Sequence, residues 1–213
     1  MNRSTNELIN FSNKWYNIDY CLQAVKSNGK LLKYVKIQTL EICLSAIQEN
    51  CWAIQYLKIQ TPEICLAAVK QDGWTLQNIR FQTPEICLAA VKRSEPALKF
   101  VVKQTMDICL TAINQIEWTL EYAKIQTSEI CLDVVKKNGL VLGVVKHQTP
   151  EICMVAVKQD GRALEWVKIQ TLETCLAAVR QNGTALKFAK IQTLDMCITA
   201  ANENEQALNY AKI

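Results

Sequence analysis

Nine of the ten cysteines in this sequence recur at a constant interval of 22 residues. Such a ladder of thiols could bind metal ions or form disulfide bonds. Zinc sites, however, usually draw on cysteines that lie roughly two to four residues apart, and each interval here supplies a single thiol. We interpret the ladder as a column of small buried apolar side chains, with metal binding and redox chemistry as the alternatives. The nine positions are Cys21, Cys43, Cys65, Cys87, Cys109, Cys131, Cys153, Cys175 and Cys197.

A column of basic side chains keeps the same interval and offers a second kind of chemistry. A periodic row of cations could follow the phosphates of a nucleic acid. Alternatively, each cation lies at the C-terminal end of a helix and offsets its dipole, in a chain whose net charge is only +4. The candidate binding residues of this column are Lys58, Arg80, Lys124, Lys146 and Lys168.

Three tryptophans occupy one position of the repeat that varies widely in the other copies. Trp52, Trp74 and Trp118 share this position, which elsewhere holds residues as different as Lys30 and Pro96. Because tryptophan is enriched at the energetic centres of protein interfaces, the three rings are candidate contacts for a protein partner. The alternative is that each ring only covers the turn beside it.

Motifs for catalysis are missing from the sequence. The single histidine, His147, occupies a column that is isoleucine in six of the nine repeats, which favours a boundary residue over a catalytic one. We find no glycine-rich phosphate loop, no nucleophile elbow and no zinc-binding helix motif. We therefore expect no enzymatic activity, no cofactor and no metal site.

The whole sequence repeats with the 22-residue period of the cysteines. A Gln-Thr dipeptide recurs at the same interval eight times, from Gln38-Thr39 to Gln192-Thr193. One repeat, residues 61–82, predicts two short helices. Thr61 is a suitable N-cap and Pro62 fits the first helical position. The first helix should end near Asp72-Gly73, with glycine in the left-handed conformation, and the second should run from about Trp74 to Arg80. Other residues replace this glycine in four repeats, where we expect another turn geometry; they are Cys51, Glu95, Glu117 and Glu205.

Helices this short are marginal in water, so each repeat must be stabilised by its neighbours. The sequence therefore predicts an all-α fold, an α-solenoid of nine two-helix 22-residue repeats with short terminal caps. We assign residues 1–16 to an N-terminal cap and residues 17–213 to a single nine-repeat domain. The sequence leaves open the curvature of the solenoid and its oligomeric state.

The first sixteen residues lack the apolar run of a signal peptide, and no stretch approaches the ~20 apolar residues of a membrane span. We therefore expect a cytoplasmic protein with free thiols and no membrane association.

The motif QTPEICLAAVKQDG resembles a tandem-repeat family of unknown function that is abundant in giant DNA viruses of amoebae and occurs in some intracellular bacteria. The resemblance covers residues 17–213 and implies an all-helical fold and a viral protein acting in host cytoplasm or in the virion. It implies no activity or ligand. We predict a non-enzymatic scaffold that binds an unidentified protein through an extended surface. The alternatives are a nucleic-acid-binding repeat protein and a self-assembling structural protein.

Overall fold

The computed structural model describes residues 13–212, and its helices follow the 22-residue repeat. Each repeat begins with an α-helix, and nine of these lie among the described residues: α1 (Ile18–Ser27), α2 (Leu40–Glu49), α3 (Pro62–Gln71), α4 (Pro84–Arg93), α5 (Met106–Ile113), α6 (Ser128–Lys137), α7 (Pro150–Gln159), α8 (Leu172–Gln181) and α9 (Leu194–Glu203). The predicted all-α fold is confirmed.

The second element of each repeat is a 3₁₀-helix of six residues. A further 3₁₀ turn, Lys14–Tyr16, precedes the first repeat. The bounds are η1 (Gly29–Tyr34), η2 (Cys51–Tyr56), η3 (Gly73–Asn78), η4 (Glu95–Phe100), η5 (Glu117–Tyr122), η6 (Gly139–Val144), η7 (Gly161–Trp166), η8 (Gly183–Phe188) and η9 (Glu205–Tyr210). The predicted second helix was placed one to two residues too late, since η3 begins at Gly73 and ends at Asn78.

The 3₁₀ form follows from the spacing of the buried positions. In the third repeat Gly73, Leu76 and Ile79 are all buried, and they lie three residues apart. Positions three apart stay in line along a 3₁₀-helix, which has three residues per turn, whereas along an α-helix, with 3.6 residues per turn, each such step rotates by about 60°. Gly73 and Leu76 therefore lie on one face of η3, and Ile79 follows as the extended residue at its C-terminal end.

The chain divides at Ala112 into two compact units. The N-terminal unit ends at Ala112 and the C-terminal unit begins at Ile113. Within each unit, successive α-helices pack against one another and successive 3₁₀-helices do the same, so each unit is a helical-repeat solenoid.

The predicted N-caps are confirmed throughout the array. In the third repeat, the hydroxyl of Thr61 accepts a hydrogen bond from the backbone N–H of Ile64 at 3.4 Å. Asn17 caps the first helix in the same way, accepting from the backbone N–H of Tyr20 at 2.8 Å. These bonds satisfy backbone donors that the first turn of a helix leaves free.

The turn between the two helices of a repeat differs from the prediction. Among the described residues no glycine has a positive φ. Asp72 is extended (φ −148°, ψ 114°), and its carboxylate accepts from the backbone N–H of Trp74 at 2.9 Å. Asn50, which precedes Cys51 rather than glycine, has nearly the same conformation (φ −150°, ψ 105°). The expectation of another geometry where glycine is missing is therefore wrong, because the turn never requires a left-handed residue.

Close approach of the next repeat explains the glycine instead. A Cβ atom at Gly73 would lie 2.2 Å from the carbonyl oxygen of Ala90, in the following α-helix. In the C-terminal unit, a Cβ atom at Gly161 would lie 2.4 Å from the carbonyl oxygen of Ala178. Glycine therefore lets one repeat's 3₁₀-helix approach the backbone of the next repeat's α-helix.

The predicted N-terminal cap lies mostly outside the described residues, which begin at 13. Within it, Trp15 is buried, and its ring packs against Tyr20 and Tyr34 with centroids 5.4 and 5.3 Å apart. The backbone carbonyl of Trp15 accepts from the N–H of Lys36 at 3.0 Å. This tryptophan therefore packs directly against the first repeat.

Candidate interaction surface

All ten cysteines are buried and none forms a disulfide bond, as the sequence predicted for the nine in the ladder. In the C-terminal unit the thiol of Cys153 donates to the side-chain oxygen of Gln148 at 3.7 Å, and Cys175 donates to Gln170 at 3.6 Å. Burial raises the pKa of the Cys153 thiol, an effect that nearby Lys168 opposes without reversing. The Cys153 thiol therefore stays protonated near neutral pH, which suits packing better than nucleophilic chemistry.

The glutamine of the Gln-Thr dipeptide hydrogen-bonds to the backbone of two successive repeats, and we call this arrangement the clamp. The side-chain amide of Gln60 donates to the carbonyls of Ile54, in its own repeat, and Asn78, in the next. Its side-chain oxygen accepts from the backbone N–H of Arg80 at 2.9 Å. This role was not predicted from the sequence, although the invariance of glutamine across eight repeats was a signal for it.

The predicted basic column binds the backbone of the preceding repeat. The Arg80 guanidinium donates to the carbonyls of Lys58 and Leu57 at 3.1 and 2.8 Å. Lys168 donates to the carbonyl of Lys146 at 2.9 Å, Lys146 donates to the carbonyl of Ala123, and Lys58 donates to that of Lys36. These cations thus contribute to stacking. Lys124, the remaining candidate of this column, is exposed in the C-terminal unit.

The predicted tryptophans lie at the second position of their 3₁₀-helices. Trp52 and Trp74 are half-buried in the N-terminal unit, whereas Trp118, in the C-terminal unit, is 43% exposed. The ring of Trp74 packs edge-on against Phe100 of the next repeat, with centroids 5.5 Å apart, and the Lys99 ammonium lies 4.2 Å from its centroid. Trp74 therefore takes part in packing between repeats.

A second basic column, which was not predicted as a site from the sequence, lies on the α-helices. Lys70 and Lys92 are exposed and line a groove of about 660 Å³ in the N-terminal unit together with Leu88, Arg93 and one carboxylate, Glu85. The same columns line a smaller groove of about 210 Å³ in the C-terminal unit, where the residues are Met154, Lys158, Glu173, Leu176 and Arg180. We call these the helix-face grooves.

The structure exposes a row of large apolar side chains in the loops that join one repeat to the next. Ile59 is 76% exposed and Phe81 80% in the N-terminal unit, while Ile169 is 83% exposed and Ile191 76% in the C-terminal unit. This is the isoleucine column that also contains His147, and we call it the loop edge. The sequence contained one signal for it, because the column is apolar yet belongs to neither helix.

Grooves run between neighbouring repeats along the loop edge. In the C-terminal unit, the His147 groove has a volume of about 360 Å³ and the Ile191 groove about 310 Å³. Lys168 and Ile169 line both, so the two grooves adjoin. The buried residue Cys153 lines the first groove and the buried residue Cys175 lines the second. The N-terminal unit has a Phe81 groove of about 360 Å³, lined by the same columns.

Within the described part of the chain, no group of three or more histidine, cysteine or acidic residues is arranged to hold a metal ion. None of the helices among residues 13–212 combines the length and apolar character needed to cross a membrane.

Comparison with known proteins gives a partial match. No curated protein and no solved structure matches the chain. Two complete repeats, residues 39–82, match a family described as a domain of unknown function, DUF4116, to which this part of the chain is therefore similar.

Proposed function

We propose that this protein is a non-enzymatic scaffold that binds protein partners through its loop edge. The observation that carries the proposal is the exposure of Ile169 and Ile191 on adjoining grooves. Single exposed apolar residues are ordinary, but a contiguous apolar patch usually marks an interaction site. Burying one isoleucine side chain contributes about 1.5–3 kcal/mol, so a partner that covers both gains substantial binding energy.

The loop edge replaces the three tryptophans as the favoured contact surface. Trp74 is already engaged by Phe100 and Lys99, so a partner would find less of its ring available. Ile169 and Ile191 are the more exposed side chains. Trp118 stays a candidate because nearly half of its surface is open.

A selection from a random peptide display library tests the proposal. The wild-type chain is compared with the double variant Ile169→Ser/Ile191→Ser and with a control, Ile198→Ser, which removes an exposed isoleucine from helix α9. We expect peptides that bind the wild type and the control but not the double variant. Peptides that bind all three proteins equally, or a selection that enriches none, would overturn the proposal.

A second candidate function is polyanion binding at the helix-face grooves. Lys70, Lys92 and Arg93 face a single carboxylate, Glu85, in the larger groove. Lys58 and Arg80 belong to the other basic column and do not line this groove.

Fluorescence anisotropy with a labelled single-stranded polyuridylate tests this alternative. The double variant Lys70→Gln/Lys92→Gln should weaken binding and reduce its salt dependence, because each lost phosphate contact removes one released counterion. The control Lys30→Gln, which removes an exposed cation from a 3₁₀-helix, should change neither. Equal binding by all three proteins would count against the helix face.

The resemblance of the repeat motif to proteins of giant amoebal viruses supports a further proposal, that the chain acts in host cytoplasm or in the virion. Fractionation of infected amoebae, with antibody against the chain, distinguishes these locations. Detection of the chain in amoebae that carry no virus would contradict a viral origin.

A further inference from the structure

The three grooves of the loop edge share one electrostatic character. In the C-terminal unit, the His147 groove is lined by the cations Lys146 and Lys168, and the Ile191 groove by Lys168 and Lys190. The Phe81 groove of the N-terminal unit is lined by Arg80 and Lys103. All residues that line these three grooves lie within residues 13–212, and none of them is an aspartate or a glutamate.

We propose that the loop edge binds a short linear segment of a partner protein that carries both aliphatic and acidic side chains. The aliphatic groups enter the grooves beside Ile169 and Ile191, and the carboxylates pair with the lysines at the rims. This inference rests on the proposed function and adds the chemistry of the partner. Complementary charge would select acidic segments over basic ones and speed their encounter.

The lysines are held in place before a partner arrives. The Lys168 ammonium donates to the carbonyls of Lys146 and Val145 at 2.9 and 3.5 Å, and the Lys190 ammonium donates to that of Lys168 at 3.1 Å. An ammonium has three donors, so these bonds leave capacity for a carboxylate. Because the side chains are already ordered, binding costs less conformational entropy than it would for free lysines.

Continuity of the grooves favours a segment over a single side chain. Lys168, Ile169 and Thr171 line both grooves of the C-terminal unit, so one occupant can contact both. Nucleic acid fits this surface less well, because single strands bind through aromatic stacking and this part of the loop edge presents isoleucine.

Fluorescence anisotropy with four labelled peptides tests the inference. The probe contains two copies of Gly-Leu-Glu-Glu-Leu. In two matched peptides glutamine or lysine replaces glutamate, and in the fourth serine replaces leucine. We expect the leucine–glutamate peptide to bind at least about tenfold more tightly than the others, which corresponds to a single favourable ion pair or buried aliphatic group. Raising NaCl from ~0.05 M to ~0.5 M should weaken its binding, because salt screens exposed charges.

Variants locate the binding and separate the two proposals. Ile169→Ser/Ile191→Ser and Lys168→Gln/Lys190→Gln should each weaken binding of the leucine–glutamate peptide, while Ile198→Ser should not. Circular dichroism verifies that each variant is folded.

If the glutamine peptide binds the loop edge as tightly as the glutamate peptide, the acidic preference is wrong while the scaffold function stands. Binding that survives the isoleucine substitutions, absence of binding by every peptide, or association of the chain with itself through Ile169 in light scattering overturns the inference. The display selection then decides the scaffold function separately.

Discussion

The side-chain oxygen of Gln148 accepts a hydrogen bond of 3.0 Å from the backbone N–H of Lys168, which belongs to the next repeat. The amide of the same glutamine donates to the carbonyls of Leu142 and Trp166 at 3.1 and 2.9 Å. One side chain therefore satisfies three backbone groups in two repeats. Equivalent bonds recur at Gln126 and Gln170, so the clamp is a general feature of the stack.

Replacing the clamp should destabilise the protein. We expect Gln148→Leu to lower the free energy of unfolding by about 2–3 kcal/mol, because partly buried backbone groups lose their partners. Urea denaturation followed by circular dichroism measures the change. The control is Gln77→Leu, which removes an exposed glutamine whose amide binds only within its own 3₁₀-helix, to the carbonyl of Trp74. Equal effects of the two substitutions would contradict the clamp.

Adding a methyl group where the backbones of two repeats approach closely should also destabilise the protein. We expect Gly161→Ala to lower the free energy of unfolding by about 1–3 kcal/mol, because the new Cβ overlaps the carbonyl oxygen of Ala178. Gly143→Ala is the matched control. Its Cβ would meet the Trp166 side chain at 3.0 Å, and that ring is exposed and can move. A loss at position 143 as large as that at 161 would argue against the backbone contact.

The buried thiols should make stability depend on pH in the alkaline range. Burial raises the pKa of eight cysteines: Cys21, Cys43, Cys51, Cys65, Cys87, Cys131, Cys153 and Cys175. Above the ordinary thiol pKa of about 8.5, the unfolded chain ionises while the folded chain stays protonated. The contribution of these thiols to the free energy of unfolding is therefore fully present below that pH. It is lost as the pH rises through the raised pKa values of the thiols in the folded chain.

Urea denaturation in reducing buffer from pH ~7.5 to pH ~9.5 measures this loss, which spans the thiol pKa. Cys153→Ala/Cys175→Ala provides the comparison, because it removes two of the titrating groups. We expect the double variant to start less stable yet to lose less stability over this range. Parallel curves for the two proteins would mean that other groups cause the dependence.

Substitutions at the loop edge should leave folding intact. Ile169 and Ile191 are already largely exposed, so Ile169→Ser/Ile191→Ser should change the free energy of unfolding by less than about 0.5 kcal/mol. Ile86→Ser, at a buried position of helix α4, should by contrast destabilise strongly. A large loss in the loop-edge variant would show that these isoleucines serve folding rather than binding.

The repeat register, the helix caps and the buried columns could be predicted from the sequence because each depends on local geometry or on periodicity. Thr61 caps a helix whose first donors lie within three residues of it. Cys65 and Ala68, three residues apart on one α-helix, share its buried face whatever packs there. Both properties depend only on residues a few positions apart in the sequence, and their recurrence in nine repeats made the pattern recognisable.

The roles of glutamine, glycine, lysine and isoleucine depended on the tertiary structure. Gln60 reaches a carbonyl 18 residues away and an N–H 20 residues away, and Gly73 meets a carbonyl in the next helix. Lys168 binds a carbonyl 22 residues back. Ile169 lies in a loop whose exposure depends on whether another element covers it. Such contacts are set by how one repeat is placed on the next, and local conformational preference carries no information about that placement.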